Sequence, residues 1–483
     1  MATTLTPSTS PAPRLSAPPA SPVAARAVGR RRWLTLAVLC LSLLITVVDG
    51  TIVNVALPTL ARDRRTGISG LQWITDAYTL TFAALLLLAG AIADRYGRHR
   101  ALAAGLVVFA GASLAAAFTR TAPELIAARA VMGTGAAFIM PATLAILTGV
   151  FTDPRERVKA IGIWSAVSGL GVAIGPLAGG WLLGHFGWQS VFVVNLPLVA
   201  VALTAGRWLV PASKAPVARR LDPLGATLSV AGFTALTWSI IEAPAHGWLS
   251  AGTLASLGGA VALLAAFVAA EARSDHPMLP LALLRDRRIG AGAAALLLLF
   301  FALGGTVFLT TQIYQLVLGY SPLAAGTRAL PPAIALAAAA PLGAQAARRA
   351  GPALPISGGL ALVTGGLSFM TTATPDSGYP HFLIAMVAVA AGIGLAMSAA
   401  TSITLQQLPP ALAGVGSAVN DATRNIGSVL GVAVVGSVAA SGARGRALAA
   451  HGAFITGADH GAIVAAALTL AGALFTLRLL RRT

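Results

Sequence analysis

Charge is what this 483-residue chain has least of: Asp, Glu, Lys and Arg together make up 10% of it, and only 15 residues are acidic. A folded soluble protein needs polar side chains to cover its surface, and this scarcity excludes one. Cysteine is rarer still. Cys40 stands alone, which rules out an intrachain disulfide and any thiolate cluster. The histidines (His99, His185, His246, His276, His381, His451 and His460) are scattered over loops and helix ends, without the spacing of metal ligands. No Walker-type phosphate loop is present, so ATP is not the expected energy source. The longest link after the N-terminal tail, 271–288, is too short for a soluble catalytic domain. No cofactor, no metal and no enzymatic activity are expected.

What is present is apolar. Hydrophobic residues make up 57% of the chain, and the mean hydropathy is +0.81. An apolar helix of about 20 residues crosses a bilayer. Fourteen runs fit: 33–56, 72–92, 101–119, 123–147, 160–183, 187–208, 224–242, 251–270, 289–311, 323–346, 352–371, 380–400, 414–438 and 460–479. A transmembrane barrel would show alternating segments of about ten residues instead. The fold class is therefore an all-α polytopic membrane protein. Pro331, Pro332 and Pro341 predict bending in the tenth run.

The formal net charge is +18. In a soluble protein that surplus would suggest nucleic acid. Here the basic residues occupy short loops on alternate sides of the spans. Groups such as Arg95, Arg98 and Arg100, Arg219 and Arg220, Arg285, Arg287 and Arg288, and Arg481 and Arg482 fall on one side. Only Arg62, Arg64, Arg65, Arg120, Arg328, Arg444 and Arg446 fall on the other. This asymmetry places both termini in the cytoplasm and turns the basicity toward anionic lipid, not nucleic acid. Residues 1–32 begin with a Pro-, Ala-, Ser- and Thr-rich stretch and read as a disordered cytoplasmic tail.

Two charges sit inside apolar runs. Asp49 ends the uncharged stretch from Trp33 to Val48, and Arg129 lies early in the fourth span. An ionisable group in hydrocarbon is expensive and reads as functional by default. Asp49 lies 9 residues before Pro58 and Arg129 lies 6 after Pro123. At 1.5 Å per residue these are depths of roughly 13 and 9 Å from one face. If the first and fourth helices touch, the two charges can meet. Asp49 is then a candidate proton or cation site; the competing reading is a structural acid. No Asp or Glu occurs between 289 and 371, which leaves Asp49 as the main buried acid.

Other constellations follow the spans. The loop Gly90 to Arg100 carries Gly90, Asp94, Arg95, Gly97, Arg98 and Arg100. Its glycines permit a tight turn, Asp94 can cap a helix start, and the arginines can meet acids or helix C-termini. It reads as a conformational latch or, more plainly, as a topology signal. The fifth span carries Gly169, Gly171, Gly175, Pro176, Gly179 and Gly180, a density of small residues that lets helices approach closely. Asp421 and Arg424 are three apart in the thirteenth run and share a helix face. Asn54, Tyr78, Trp164 and Gln312 are candidate cavity or gating residues. Glu242, beside Trp248, reads as a headgroup-level residue.

Four elements together resemble the fourteen-helix drug–proton antiporter group of the major facilitator superfamily. They are Asp49-Gly50-Thr51-Ile52-Val53-Asn54-Val55-Ala56-Leu57-Pro58, the Gly90 to Arg100 loop, Arg129 with Gly133 and Gly135, and Gly171 through Gly180. The resemblance implies two six-helix bundles, 33–210 and 289–483. Between them it implies a linker, 211–288, with an extra hairpin at about 224–270. It also implies a central substrate cavity, alternating access with inverted repeats in each half, and a monomer in the bacterial plasma membrane. Asp49 and Arg129 would couple protons. The loop and fifth-span residues would gate. The cargo would be an amphiphilic, cationic or neutral small molecule. A dedicated exporter of one antibiotic, amino acid or lipid shares the same architecture.

Overall fold

The computed structural model describes residues 22–214, 222–274, 286–374, 376–406, 413–442 and 451–481. Most of the expected tail, together with Arg219, Arg220, His276, Arg285, Arg444, Arg446 and Arg482, lies outside the described residues. Helix is present from Pro22 onward.

Among the described residues there are fourteen long apolar helices: α1 (Arg31–Arg64), α2 (Ile68–Tyr96), α3 (Arg98–Phe118), α4 (Ala122–Val150), α5 (Pro154–Phe186), α6 (Ser190–Leu209), α7 (Pro223–His246), α8 (Ala251–Arg273), α9 (Arg287–Val317), α10 (Pro322–Ala350), α11 (Ala353–Met370), α12 (Tyr379–Ile403), α13 (Val419–Ser441) and α14 (Phe454–Leu479). Without water, backbone groups must bond within each segment, and helices achieve that. Polar caps close several of them. The Thr121 side chain accepts from Glu124 N, and Glu124 returns the bond in a capping box. Asp153 accepts from the backbone of Arg155 and Glu156, and Asp286 from Arg288 and Ile289.

All fourteen expected spans are present, most with at least one longer end. α1 runs to Arg64 because Leu57 and Leu60 are fully buried and hold the helix past Pro58. Asp49 is therefore 15 residues from that end, about 22 Å at the helical rise. In α10 the break falls at Ala329, before Pro331 and Pro332, and Pro341 lies inside the continuing helix. α9 ends in a π turn over Ile313–Val317, a local widening common at functional sites.

Helix pairing repeats between the halves. α1 packs on α4, α5 and α6 as α9 packs on α12, α13 and α14; α2 packs on α4 as α10 packs on α12. These are two six-helix bundles. α7 and α8 pair as an antiparallel hairpin, and α7 leans on both α2 and α13.

Call the face where α1 starts and α14 ends the near face, and the other the far face. Among the described residues, the hydrogen bonds and tight glycine contacts that tie bundle to bundle lie in the far half. Gln72 Nε2 of α2 donates to Val432 O and Ala433 O of α13, both at 2.8 Å. Gln315 Nε2 of α9 donates to Val55 O of α1 at 2.9 Å. Gly180 of α5 abuts Leu323 of α10, and Gly326 of α10 abuts Pro176 O. The hairpin joins the same region: Ser69 Oγ donates to Glu242 Oε1 at 2.9 Å, and Trp248 Nε1 to Ser441 Oγ at 3.1 Å. Glu242 thus ties α7 to α2. Elsewhere the hairpin stands off α2, leaving an apolar groove of about 880 Å³ lined by Leu85, Leu88, Val230 and Trp238.

Candidate functional site: a buried acid–arginine centre

Asp49 and Arg129 meet. Arg129 Nη1 donates to Asp49 Oδ2 at 2.5 Å, and both side chains are essentially sealed, at 0% and 1% exposed. α1 and α4 bring them together across a separation of 80 residues. The guanidinium is a rigid fork, and it uses that shape. Its Nε donates to Ile74 O of α2 at 3.2 Å. Its Cζ stands 4.3 Å from the centre of the Tyr78 ring, a cation–π contact in a dry site. Tyr78 is fixed in turn by its hydroxyl, which donates to Thr46 O at 2.9 Å.

The second carboxylate oxygen has its own donor. Asn195 Nδ2, from α6, donates to Asp49 Oδ1 at 3.0 Å and lies 3.0 Å from Ser113 Oγ of α3. Ser113 donates onward to Phe192 O at 2.9 Å. Asn195 and Ser113 are 1% and 0% exposed. Sequence reasoning missed both. A signal existed for Asn195, which interrupts an apolar span just before Leu196 and Pro197.

The fifth-span glycines adjoin this centre. A side chain at Gly171 would come within 2.8 Å of Val47, and one at Gly179 within 2.8 Å of Ile52, both on α1. One at Gly175 would collide with Thr51 Oγ1. Gly180 and the carbonyl of Pro176 turn to α10 instead. Gly169 faces open space and joins neither contact. α5 thereby links the helix that carries Asp49 to the other bundle.

The remaining expected residues lie apart from the centre. Asp94 does not cap α3. It sits in the last turn of α2 and accepts from Arg98 Nε at 2.8 Å, while the α3 start at Gly97 has no side-chain cap. Gly97 has φ of +116°, a conformation that excludes most side chains, and this lets the chain reverse within one residue. Arg98 also donates from Nη1 to Ala145 O of α4 at 3.1 Å and from its backbone N to Ser213 O at 2.9 Å. Arg95 leans on Tyr96, and Arg100 is exposed. Gly90 makes only an ordinary approach to Pro141. The loop thus engages its own bundle in this conformation.

Trp164 Nε1 donates to Thr143 Oγ1 at 3.3 Å, joining α5 to α4. Asn54 bonds back to Gly50 O on its own helix. Gln312 is buried with Nε2 unpartnered. Asp421 and Arg424 pair at 3.7 Å, and Arg424 Nη2 donates to Thr401 Oγ1 at 2.7 Å. Asp49 is also not the sole sealed acid: Asp76 of α2 is 0% exposed, and neither of its oxygens has a hydrogen-bond partner. It stands in the apolar run between Arg65 and Asp94, the same signal that singled out Asp49.

Residues 39–432 match the family model described as Major Facilitator Superfamily. The chain is 36% identical over 414 residues to "Multidrug resistance protein Stp" of Mycobacterium tuberculosis, covering 86% of this chain and 77% of that protein. It is 35% identical over 472 residues to "Puromycin resistance protein pur8" of Streptomyces alboniger, covering 96% and 93%. Among solved structures it aligns with an inward-facing, unoccupied bacterial homolog of the human lysosomal transporter Spinster, with a TM-score of 0.66. That alignment covers 93% of this chain and 97% of that one at 17% identity, a likeness of fold.

Proposed function

Since the chain belongs to the Major Facilitator Superfamily, we propose that it works as a proton-driven exporter of amphiphilic cationic or neutral small molecules. It is a multi-pass membrane transporter and not an enzyme. The observation that carries the proton coupling is the sealed contact of Asp49 with Arg129, on a helix packed against Gly171, Gly175 and Gly179 of α5, whose Gly180 and Pro176 touch the opposite bundle. Basic residues near the loops of the near face support a cytoplasmic assignment for that face. With the bundles tied in their far halves, the conformation is then inward-facing.

The cycle needs substrate and proton to favour different states or to exclude one another. In the inward-facing state cargo enters between the bundles from the cytoplasm or inner leaflet. The Asp49–Arg129 pair holds α1 to α4 while the carboxylate is charged. A proton arriving from outside in the outward-facing state neutralises Asp49 and releases Arg129, which alters the packing of α1 on α5. Cargo leaves, and the proton departs to the cytoplasm as the bundles return. The Gly90 to Arg100 loop, bound to its own bundle here, is free to engage the other bundle when the near face closes.

The test uses purified protein in proteoliposomes with tetraphenylphosphonium as probe. Asp49→Asn is expected to abolish accumulation driven by an imposed pH gradient while leaving binding of the probe intact. Undiminished gradient-driven accumulation by that variant would overturn the assignment. A dedicated exporter of one compound is the second reading, favoured by the near full-length similarity to a protein named for resistance to a single antibiotic. Transport across a panel of unrelated cationic dyes, neutral antibiotics and amino acids separates the two.

A further inference from the structure

Asp76 takes no part in the centre just described, although it is as deeply buried as Asp49. Its position follows from its neighbours on α2. Ile74, Tyr78 and Thr81 turn toward α4 and α1: Ile74 O accepts from Arg129, Tyr78 OH donates to Thr46 O, and Thr81 Oγ1 donates to Ala130 O. Gln72 points the other way, into α13, and Ser69 points to α7. Asp76 is one turn along from Gln72 and shares its side of the helix. It therefore lies in the seam where α2, α7 and α13 meet. Thr237 of α7 is buried as well, and its hydroxyl has no hydrogen-bond partner.

The surroundings decide the charge state. An ionised carboxylate is acceptor-only and needs donors, and its burial without them is strongly unfavourable. Asp76 has no donor at either oxygen. The titratable groups on the helices packed against α2 are engaged elsewhere or lie at the faces. Asp49 binds Arg129, Glu242 accepts from Ser69, and Asp421 pairs with Arg424. Glu124 caps α4, the His246 ring meets Glu242 O, and Arg98, His99 and Arg100 lie at the near end of α3. None makes a hydrogen bond or ion pair with Asp76. In the conformation with the far seam shut, the acid is neutral.

The geometry points to Asp76 as a proton-operated seal of the far seam, a protonation site separate from the Asp49 centre. When α2 and α13 are together the protonated acid fits the dry interface. When they part, far-side water reaches the carboxyl, its proton passes to that water, and the resulting carboxylate holds the seam open until a proton returns. The seam that seals the side chain parts toward the far side, and its proton exchanges there. The related seam, α5 against α10, is built from Gly180, Gly326, Pro176 and Leu323 and holds no acid. One seam of the pair is thus sensitive to pH on the far side. External acid would return the exporter to the state that loads cargo, so the inference rests on the outward direction of transport proposed above.

The test reads the seam directly. Spin labels at Arg120 and Thr372, on the far-face ends of the two bundles, report far-mouth opening in lipid nanodiscs; the buried Cys40 stays in place. In the otherwise native protein, the long-distance population is expected to rise several-fold from mildly acid to mildly alkaline pH. In Asp76→Asn, and in the apolar replacement Asp76→Leu, it is expected to stay low and flat. Infrared spectra of the seam-closed protein should show a protonated-carboxyl band that Asp76→Asn removes. An unchanged pH response in both Asp76 variants, or a band that survives, overturns the proposal. If tetraphenylphosphonium is not driven by a pH gradient while the seam still responds through Asp76, the export reading falls and the seal stands.

Discussion

Arg129 is among the largest fully buried side chains of the protein, and its three contacts cannot all be reproduced by another residue. Lysine lacks the planar fork, so Arg129→Lys cannot hold Asp49, the Ile74 carbonyl and the Tyr78 face together. Removing one member of a buried ion pair strands the other, typically at about 3–5 kcal/mol. Arg129→Met is therefore expected to lower thermal stability in detergent by more than the pair of changes Arg129→Met and Asp49→Asn together. A double-mutant cycle measures that non-additivity; additive losses would show that the two side chains act independently. Asn195→Ala takes the donor from Asp49 Oδ1 and is expected to lower stability by about 1–3 kcal/mol, measured by the same melts. The residue types at the centre were partly legible. Asp49 and Arg129 stand out as charges in apolar runs, and Asp76 carried the same mark. Ser113 did not, because a hydroxyl in a membrane helix commonly bonds its own turn.

At the scale of an element, α5 shows what glycine density means and what it hides. The sequence marks the whole helix as a close-packing surface, yet its glycines differ. Gly175 faces Thr51, Gly180 faces Leu323, and Gly184 has nothing within 4 Å. Overpacking a filled contact generally costs about 1–3 kcal/mol. Gly175→Ala is expected to impair transport, and Thr51→Ala in the same protein is expected to restore part of it by removing the atom in the way. Gly184→Ala serves as the control and should transport normally. Loss in Gly184→Ala equal to that in Gly175→Ala would mean that helix propensity, and not the α1 contact, governs the element. The rotation of α5 decides these outcomes, and the order of residues along the helix does not disclose it.

For the whole molecule, the hairpin is a tie between bundles. Glu242 accepts from Ser69 of the first bundle, and Trp248 donates to Ser441 of the second. Each bond sits in the far half, where the bundles already touch. Replacing both donors, with Ser69→Ala and Trp248→Phe, is expected to raise the far-open population seen by the labels at Arg120 and Thr372. An unchanged distance distribution would reduce α7 and α8 to packing against lipid. The pairing pattern of the halves also belongs to this scale. α1 to α6 and α9 to α14 pack alike, although residue identity along the chain shows no convincing repeat.

The sequence by itself determined the fourteen spans, because the bilayer acts as a solvent on each segment separately and hydropathy records its demand. It likewise determined that Asp49 and Arg129 needed a partner, since a charge in hydrocarbon is intolerable alone. Only the tertiary structure decided who the partners are. Asn195 reaches Asp49 across 146 residues, Gln72 reaches α13 across 360, and Asp76 finds none. Helix against helix and helix against lipid are equally apolar contacts, so no hydrophobic pattern along the chain says which way a helix turns. That choice is made by the shape of small residues and by a few polar groups meeting across the bundles.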